Sequence, residues 1–267
     1  MKLKQILFSG IVLILIAIIG FSGYQLWDIH RNNAQESTMH DRLLTYRPTP
    51  QTSPQTTWQT SPLFDVDDNP GSCAAPVANQ SIIDLREKYP DVIGWLYIAN
   101  TRIDYPFAQA HDNEYYLHRD LDRNRSTAGT IFMDYRNSND FSDFNTIIYG
   151  HNMRNGSMFG TLENFNDLNF FNTNVTGTIF LANETFEIEF MAFAVIKPND
   201  AVIYNPNITT EADKIIFFDH IRNTARYYRD INITTNDRVI TLSTCNYEFN
   251  NARMVLIGRI LNNFKIF

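Results

Sequence analysis

Cysteine is scarce in this sequence, which has only Cys73 and Cys245 among its 267 residues. A disulfide-built domain normally carries more cysteines, so this scarcity argues against such a scaffold. A bond between the two cysteines is conceivable, but it would block either thiol from acting as a nucleophile. We therefore expect two free thiols, with Cys73 incidental in its proline-rich surroundings.

An excess of basic residues is also lacking. The sequence has 22 Lys and Arg against 29 Asp and Glu, a net charge of −7. An acidic chain argues against nucleic acid as a partner. The hydrophobic fraction of 44% allows a sizeable core, and 267 residues can form one large domain or two small ones.

A convincing signal-peptidase site is missing after the apolar run at the N-terminus. Residues 6–21 are almost wholly apolar, and the next three residues extend the run to the ~20 needed to cross a bilayer core. Lys2 and Lys4 precede it, which places the N-terminus in the cytoplasm, and Tyr24 and Trp27 follow it. We predict a single transmembrane helix that anchors the chain in the lipid bilayer. The alternative is a cleaved signal peptide, and in both cases most of the chain is extracellular.

Prolines cluster after this helix and predict a flexible extracellular stalk over residues 30–79. Within it, Asp65-Val-Asp-Asp-Asn-Pro-Gly71 half-matches a calcium loop, but Pro76 takes the place of the bidentate Glu. We therefore expect no metal site. The predicted organisation is a cytoplasmic tip and membrane anchor (1–29), the stalk (30–79) and a catalytic domain (80–267).

The third region has the pattern of a mainly β domain with helices. Many short strands with short connections predict a closed β-barrel. Strands are predicted at residues 95–98, 103–107, 129–133, 146–149, 178–182, 186–196, 238–244 and 253–261. A short helix is predicted at residues 82–89 and a second at 210–228, in the loop before the cysteine-bearing strand. Thr210 should cap this second helix, with an apolar stripe formed by Ile215, Ile216, Phe218, Ile221 and Ala225.

Cys245 ends an apolar strand with two different faces. Ile240, Leu242 and Thr244 share one face, which should lie in the core. Cys245 shares the other face with small polar residues, which suggests the floor of a site. A cysteine kept only for packing would sit more naturally on the apolar face.

Two other residues of catalytic type stand at strand ends. His151 follows the apolar strand 146–149, and Arg253 opens the last strand. Acyl transfer by cysteine needs a nucleophile, a proton shuttle and an oxyanion stabiliser, and these three side chains supply them. The other five histidines have surface or structural patterns, and Arg259 is the alternative arginine on the same strand.

Together these segments resemble the three signature elements of sortases, membrane-anchored cysteine transpeptidases of Gram-positive bacteria. The elements are Thr241-Leu-Ser-Thr-Cys245, Tyr149-Gly-His-Asn152 and Arg253. The helix before the cysteine strand is similar to that of class B members. Other segments similar to that class are residues 91–96, 103–106, 112–117, 129–134 and 156–160. The resemblance covers roughly residues 82–261.

This resemblance implies cleavage of a surface protein's C-terminal sorting signal through a thioacyl intermediate, without a cofactor. His151, Cys245 and Arg253 would be catalytic, and substrate contacts are expected from Ser243, Asn246, Tyr204 and Asn205. The acceptor would be an amine of the peptidoglycan cross-bridge or, alternatively, a pilin lysine. The helix at 210–228 and the loop before it would form one wall of the peptide groove.

Two rival functions remain at this point. A papain-like cysteine peptidase has its cysteine before its histidine and a local signature that is absent here, whereas His151 precedes Cys245. A membrane-tethered adhesion domain without enzymatic activity predicts no pairing of these two residues. A thiol-reactive probe separates the second rival from an enzyme, because only a site thiol is labelled readily at neutral pH.

Overall fold

The computed structural model describes residues 2–49, 78–245 and 252–261, and the chain divides into the units Met1–Thr45 and Tyr46–Phe267. The first unit is α1 (Lys2–Leu44). By length and composition alone, its stretch Leu13–Leu44 could cross a membrane. Residues 30–44, predicted to belong to the flexible stalk, are helical. The reason is that residues 24–44 contain no glycine, and the first proline of the chain is Pro48.

The second unit includes residues that precede position 80, where the catalytic domain was predicted to begin. The buried Asn79 donates from Nδ2 to the Leu181 carbonyl at 2.6 Å. Arg47 forms an ion pair with Asp104 at 2.7 Å. Residues 50–77, which contain Cys73 and the half-matched calcium loop, lie outside the described residues.

The strands of this second unit confirm the predicted closed β-barrel. They are β1 (Val92–Tyr97), β2 (Asp104–Ala108), β3 (Ile131–Met133), β4 (Asn145–Tyr149), β5 (Thr176–Leu181), β6 (Thr185–Ile196), β7 (Tyr227–Tyr228), β8 (Arg238–Cys245) and β9 (Arg253–Leu261). Their order in the sheet is β5-β1-β2-β3-β4-β8-β9-β6-β7, and pairing of β5 with β6 closes eight of them into a barrel. The β2–β3 and β4–β8 pairs are parallel and the others antiparallel, so the barrel is mixed.

One helix precedes β1, and three others lie between strands in the described part of this unit. They are α2 (Gln80–Lys88), a 3-10 helix (Gly160–Asn166), α3 (Leu168–Thr173) and α4 (Glu211–Thr224). The 3-10 helix and α3 were not predicted, because neither is long enough to show a helical period. Their aromatic side chains Phe165 and Phe171 are buried in the core.

Helix α4 begins as predicted but ends four residues early. Thr210 caps it by accepting a hydrogen bond from the backbone N of Asp213. Residues 227 and 228 form β7 instead, because they pair with Phe193 and Ala192 of β6. This local strand pairing overrides the helical period.

The predicted apolar stripe of α4 also needs correction. Ile215 and Ile216 are 48% and 55% exposed, whereas Phe217, which the prediction omitted, is fully buried. At 100° per residue, Phe217, Phe218 and Ile221 share one face, and the two isoleucines lie outside it.

Alternation along β8 separates two apolar clusters. Ile240 and Leu242 belong to the larger cluster, as predicted for the core face. Val239 belongs to the second cluster, which includes Phe217 and Phe218 of α4. The predicted polar face of β8 therefore points toward α4 and the loop that precedes it.

Candidate active site

Three neighbouring strand ends bring the predicted catalytic positions to one level. Cys245 ends β8 and is the register partner of Arg253, which begins β9. On the other side, Tyr149 of β4 is level with Ser243 in a parallel pair, and the backbone N of Gly150 donates to the Ser243 carbonyl at 3.1 Å. Continuing this register by two residues puts His151 level with Cys245. Adjacent strands lie about 4.8 Å apart, so the three backbone positions are neighbours.

The His151 ring is held in one tautomer. Its Nε2 lies 2.7 Å from the carbonyl oxygen of Leu117. Because a carbonyl oxygen only accepts hydrogen bonds, Nε2 carries the proton, and Nδ1 is the basic nitrogen of the neutral ring.

Two environmental effects favour the neutral form of this ring. Burial lowers the pKa of His151 below its ordinary value; the Leu117 carbonyl opposes this, and His118 adds to it. The two imidazole rings have centroids 6.2 Å apart. Sequence reasoning missed His118, which it grouped with the histidines of surface or structural pattern.

Gly129 allows the backbone to pass close to the Leu117 carbonyl. Its φ of +62° is in the left-handed region, and a Cβ there would lie 2.6 Å from the carbonyl oxygens of both Leu117 and Tyr116. Only glycine allows this approach. The next residue, Thr130, donates from its backbone N to the Tyr116 carbonyl at 2.9 Å. The 112–117 and 129–134 segments thus form the support of the histidine.

Arg253 is partly buried, and its Nη1 donates to the Ala252 carbonyl at 3.3 Å. The alternative residue, Arg259, is bonded to Glu189 at 2.5 Å through Nη2. Because Arg259 is six residues further along β9, it does not lie at the end of the strand that pairs with Cys245. Asn246, a predicted substrate contact, lies outside the described residues.

Ser243 and Tyr204, both predicted to touch substrate, are in contact with each other. The Tyr204 hydroxyl is 2.8 Å from Ser243 Oγ, and Ser243 is 1% exposed. The Tyr204 ring also stacks on Tyr149, with centroids 6.2 Å apart. Tyr204 therefore packs on the barrel, and its replacement should affect stability as well as recognition.

Asn205 is also held in place by hydrogen bonds. Its Oδ1 accepts from the backbone N of Asn207 at 3.0 Å, and its carbonyl accepts from Nδ2 of the buried Asn145 at 3.1 Å. Asn145 is in turn bonded to Thr241 on β8 at 2.9 Å. The polar face of β8 thus lies beneath this loop.

A buried carboxylate beside the site was not identified from sequence, although it ends the 129–134 segment. Asp134 accepts from Arg136 Nε and Nη2 at 2.8 and 2.7 Å, from Asn113 at 3.0 Å and from the Tyr149 hydroxyl at 3.0 Å. Burial opposes ionisation, but the bonds from Arg136 and Asn113 outweigh it and lower the pKa of Asp134. Within the described ranges, no three His, Cys, Asp or Glu side chains lie together as metal ligands.

Comparison with known proteins identifies the family of the chain. The Sortase domain family matches residues 96–260. Sortase B of Listeria monocytogenes is 32% identical over 268 residues, covering 98% of this chain and 99% of that protein.

Two solved structures are also similar. One is a Staphylococcus aureus sortase B-substrate complex, 26% identical with a TM-score of 0.65 over 70% of this chain and 87% of that one. The other is sortase B from the Type II pilus of Streptococcus pneumoniae, 37% identical with a TM-score of 0.59 over 67% and 98%. With the barrel and the three strand ends in place, these matches show that the chain belongs to the sortase family and is a sortase B-type cysteine transpeptidase.

Proposed function

We propose that the protein cleaves the C-terminal sorting signal of a surface protein and joins the new carboxyl end to an amine of the cell wall. The observation that carries this proposal is that Cys245 is the register partner of Arg253, while β4, which ends two residues before His151, runs parallel beside β8 with Tyr149 level with Ser243. A nucleophile, a proton shuttle and a cation are the groups that acyl transfer by cysteine requires.

The reaction has two halves. The Cys245 thiolate attacks a peptide carbonyl, the C–N bond breaks, and the leaving amine takes a proton from His151. The acceptor amine then attacks the thioester, gives a proton to His151, and the C–S bond breaks to release the Cys245 thiolate as the new amide forms. Because the Leu117 carbonyl holds Nε2–H, these protons pass through Nδ1.

Arg253 supplies positive charge at the same level. We assign it to the oxyanion of the tetrahedral intermediate or to a substrate carbonyl, and its charge favours the thiolate. The backbone N–H of Asn246 is a second oxyanion donor in this proposal.

One wall of the peptide groove is assigned to the loop before α4, with Tyr204 and Asn205, and Ser243 lies beneath it. Tyr204 and Ser243 share a hydrogen bond, so peptide contact at this wall involves both. The similar Staphylococcus aureus structure is of a sortase B-substrate complex, which supports a peptide as the first substrate.

We assign the acceptor to an amine of the peptidoglycan cross-bridge. The alternative is a pilin lysine, which is favoured by the similarity to sortase B from a Streptococcus pneumoniae Type II pilus. Supplying both amines to the thioacyl enzyme separates them by the mass of the product.

We place the α1 anchor in the bilayer, with the N-terminus cytoplasmic and the catalytic unit extracellular.

The decisive experiment is detection of the thioacyl enzyme. Full-length protein in detergent is incubated with synthetic C-terminal peptides of surface proteins, and its tryptic peptides are weighed by mass spectrometry. We expect an adduct on Cys245 that persists in Cys73→Ala and disappears in Cys245→Ala. An adduct on Cys73, or turnover in Cys245→Ala, would refute the proposal.

A further inference from the structure

The loop between β6 and α4, residues 197–209, is held in place by side chains from outside it. We call it the recognition loop. Four side chains from outside form hydrogen bonds to it. Arg136 and Ser243 both bond to Tyr204. Asn145 bonds to Ile203 and Asn205, and His220 bonds to Asp200. A loop tied at this many points is ordered before any peptide arrives.

Arg136 differs from the other three ties because it also forms an ion pair with a carboxylate outside the loop, that of Asp134. Its Nη2 donates to the Tyr204 carbonyl at 3.2 Å, while Nε and the same Nη2 grip the carboxylate of Asp134. Asp134 is fully buried and Arg136 is about one-third exposed. The two-point grip fixes the plane of the guanidinium, which fixes the direction of the bond to the loop.

The same carboxylate also holds the histidine strand. The Tyr149 hydroxyl donates to Asp134 Oδ2 at 3.0 Å, and Tyr149 lies two residues before His151. The Tyr149 ring stacks on Tyr204, whose hydroxyl meets Ser243, two residues before Cys245. One ion pair therefore joins the recognition loop to the strand end that carries the proton shuttle.

We propose that Arg136 is a positioning residue for peptide recognition: it sets the distance between the recognition loop and the strand end bearing His151. This inference rests on the proposed function, since it concerns the first substrate, the sorting-signal peptide. Arg136 touches neither the reacting bond nor the proton in transfer, so its loss should weaken peptide binding more than chemistry. Preorganised walls lower the ordering cost of binding, which appears in KM.

The test is Arg136→Lys in the full-length protein in detergent. Lysine keeps the positive charge beside the buried Asp134, so the carboxylate stays paired, but an ammonium cannot reproduce the planar fork. The substrate is the synthetic peptide that gives the most Cys245 adduct with the wild type. We expect KM to rise about tenfold and kcat to change less than about threefold, because a bond to a charged group contributes about one order of magnitude.

Arg259→Lys is the matched control, since Arg259 also binds a carboxylate, Glu189, within the barrel. It should lower the melting temperature without raising KM. Tyr204→Phe provides a coupling test: because both residues act through one loop, the double variant with Arg136→Lys should raise KM by less than the product of the single effects.

Hydrogen–deuterium exchange gives a readout that does not depend on turnover. In Arg136→Lys, amides of residues 197–209 should exchange faster while those of β8 and β9 keep their protection. An unchanged KM with unchanged exchange in the loop would overturn the inference, as would equal KM effects in Arg259→Lys. A wild type that forms no Cys245 adduct would instead refute the proposed function, and this inference with it.

Discussion

Replacing Gly129 by alanine should misplace the catalytic histidine without touching it. The new Cβ would lie 2.6 Å from the Leu117 carbonyl oxygen, and ordinary contact begins at 3.4 Å. The carbonyl must therefore retreat by up to 3.4 − 2.6 = 0.8 Å. A retreat of that size, directed away from the ring, would stretch the 2.7 Å bond to His151 Nε2 to about 3.5 Å, outside the usual range of about 2.7–3.2 Å for an N–H···O bond.

The magnitude follows from two separate costs. A non-glycine residue at positive φ costs about 1–2 kcal/mol, and the forced backbone shift adds about 1–2 kcal/mol of stability. For catalysis, a displacement near 1 Å can cost about 100-fold, so we expect the rate of Cys245 adduct formation to fall about 10- to 100-fold. Mass spectrometry of quenched samples gives this rate, and a thermal melt gives the folded fraction.

Gly156→Ala separates strain from misplacement. Gly156 has a φ of +80°, but its Cβ would meet nothing closer than 3.5 Å, on the side chain of Arg102. This control should lose about 1–2 kcal/mol of stability and keep a nearly normal rate. Equal rates in the Gly129 and Gly156 variants, after correction for folded fraction, would show that the Leu117 carbonyl does not position His151.

Three further expectations follow from the same structure. Arg253→Lys should lower the rate of peptide cleavage about 10²–10³-fold, as loss of an oxyanion donor does, whereas Arg259→Lys should not. The reverse result would show that Arg259, and not Arg253, is the catalytic arginine. His118→Gln should raise the pKa of His151, seen as a higher midpoint in NMR titration, because it removes the electrostatic effect of His118 that disfavours the imidazolium of His151; an unmoved or lower midpoint contradicts this. Deleting residues 1–78 should leave a folded, active domain. In urea melts its free energy of unfolding should be lower, by at most about 1 kcal/mol, than that of a protein lacking residues 1–45, because only the shorter deletion keeps the Arg47–Asp104 pair. Insolubility or loss of the Cys245 adduct would mean that the removed segment supports the fold.

What could be predicted from the sequence was set by local chemistry. The barrel strands were found because short apolar runs separated by turn residues, such as those of β8 and β9, are typical of strands. The level of Cys245 with Arg253 could be expected, since both stand at the ends of apolar runs. Helix α4 began where Thr210 predicted, because capping involves only neighbouring residues.

The features that were not predicted depend on contacts between residues far apart in the sequence. The end of α4 was missed because residues 227–228 pair with β6, more than 30 positions earlier. The carbonyl that orients His151 belongs to Leu117, 34 residues away, and a backbone group has no signature of its own. Gly129 was quoted only as part of a family-like segment, and its positive φ became apparent in three dimensions. Asp134 was visible in the sequence as an acid at the end of an apolar strand, but the sequence did not show which residues bind it.

The environment of His151 suits one half of its task better than the other. Burial and His118 lower its pKa, so the imidazolium is a stronger acid than usual and gives its proton readily to a departing amine. The same change makes the neutral ring a weaker base toward the Cys245 thiol. Arg253, at the end of the adjacent strand, offsets this by favouring negative charge at the neighbouring backbone position. In this arrangement thiolate formation depends on the guanidinium and leaving-group departure on the imidazole. Replacing Arg253 should therefore slow the formation of the thioacyl enzyme more than its reaction with the acceptor amine.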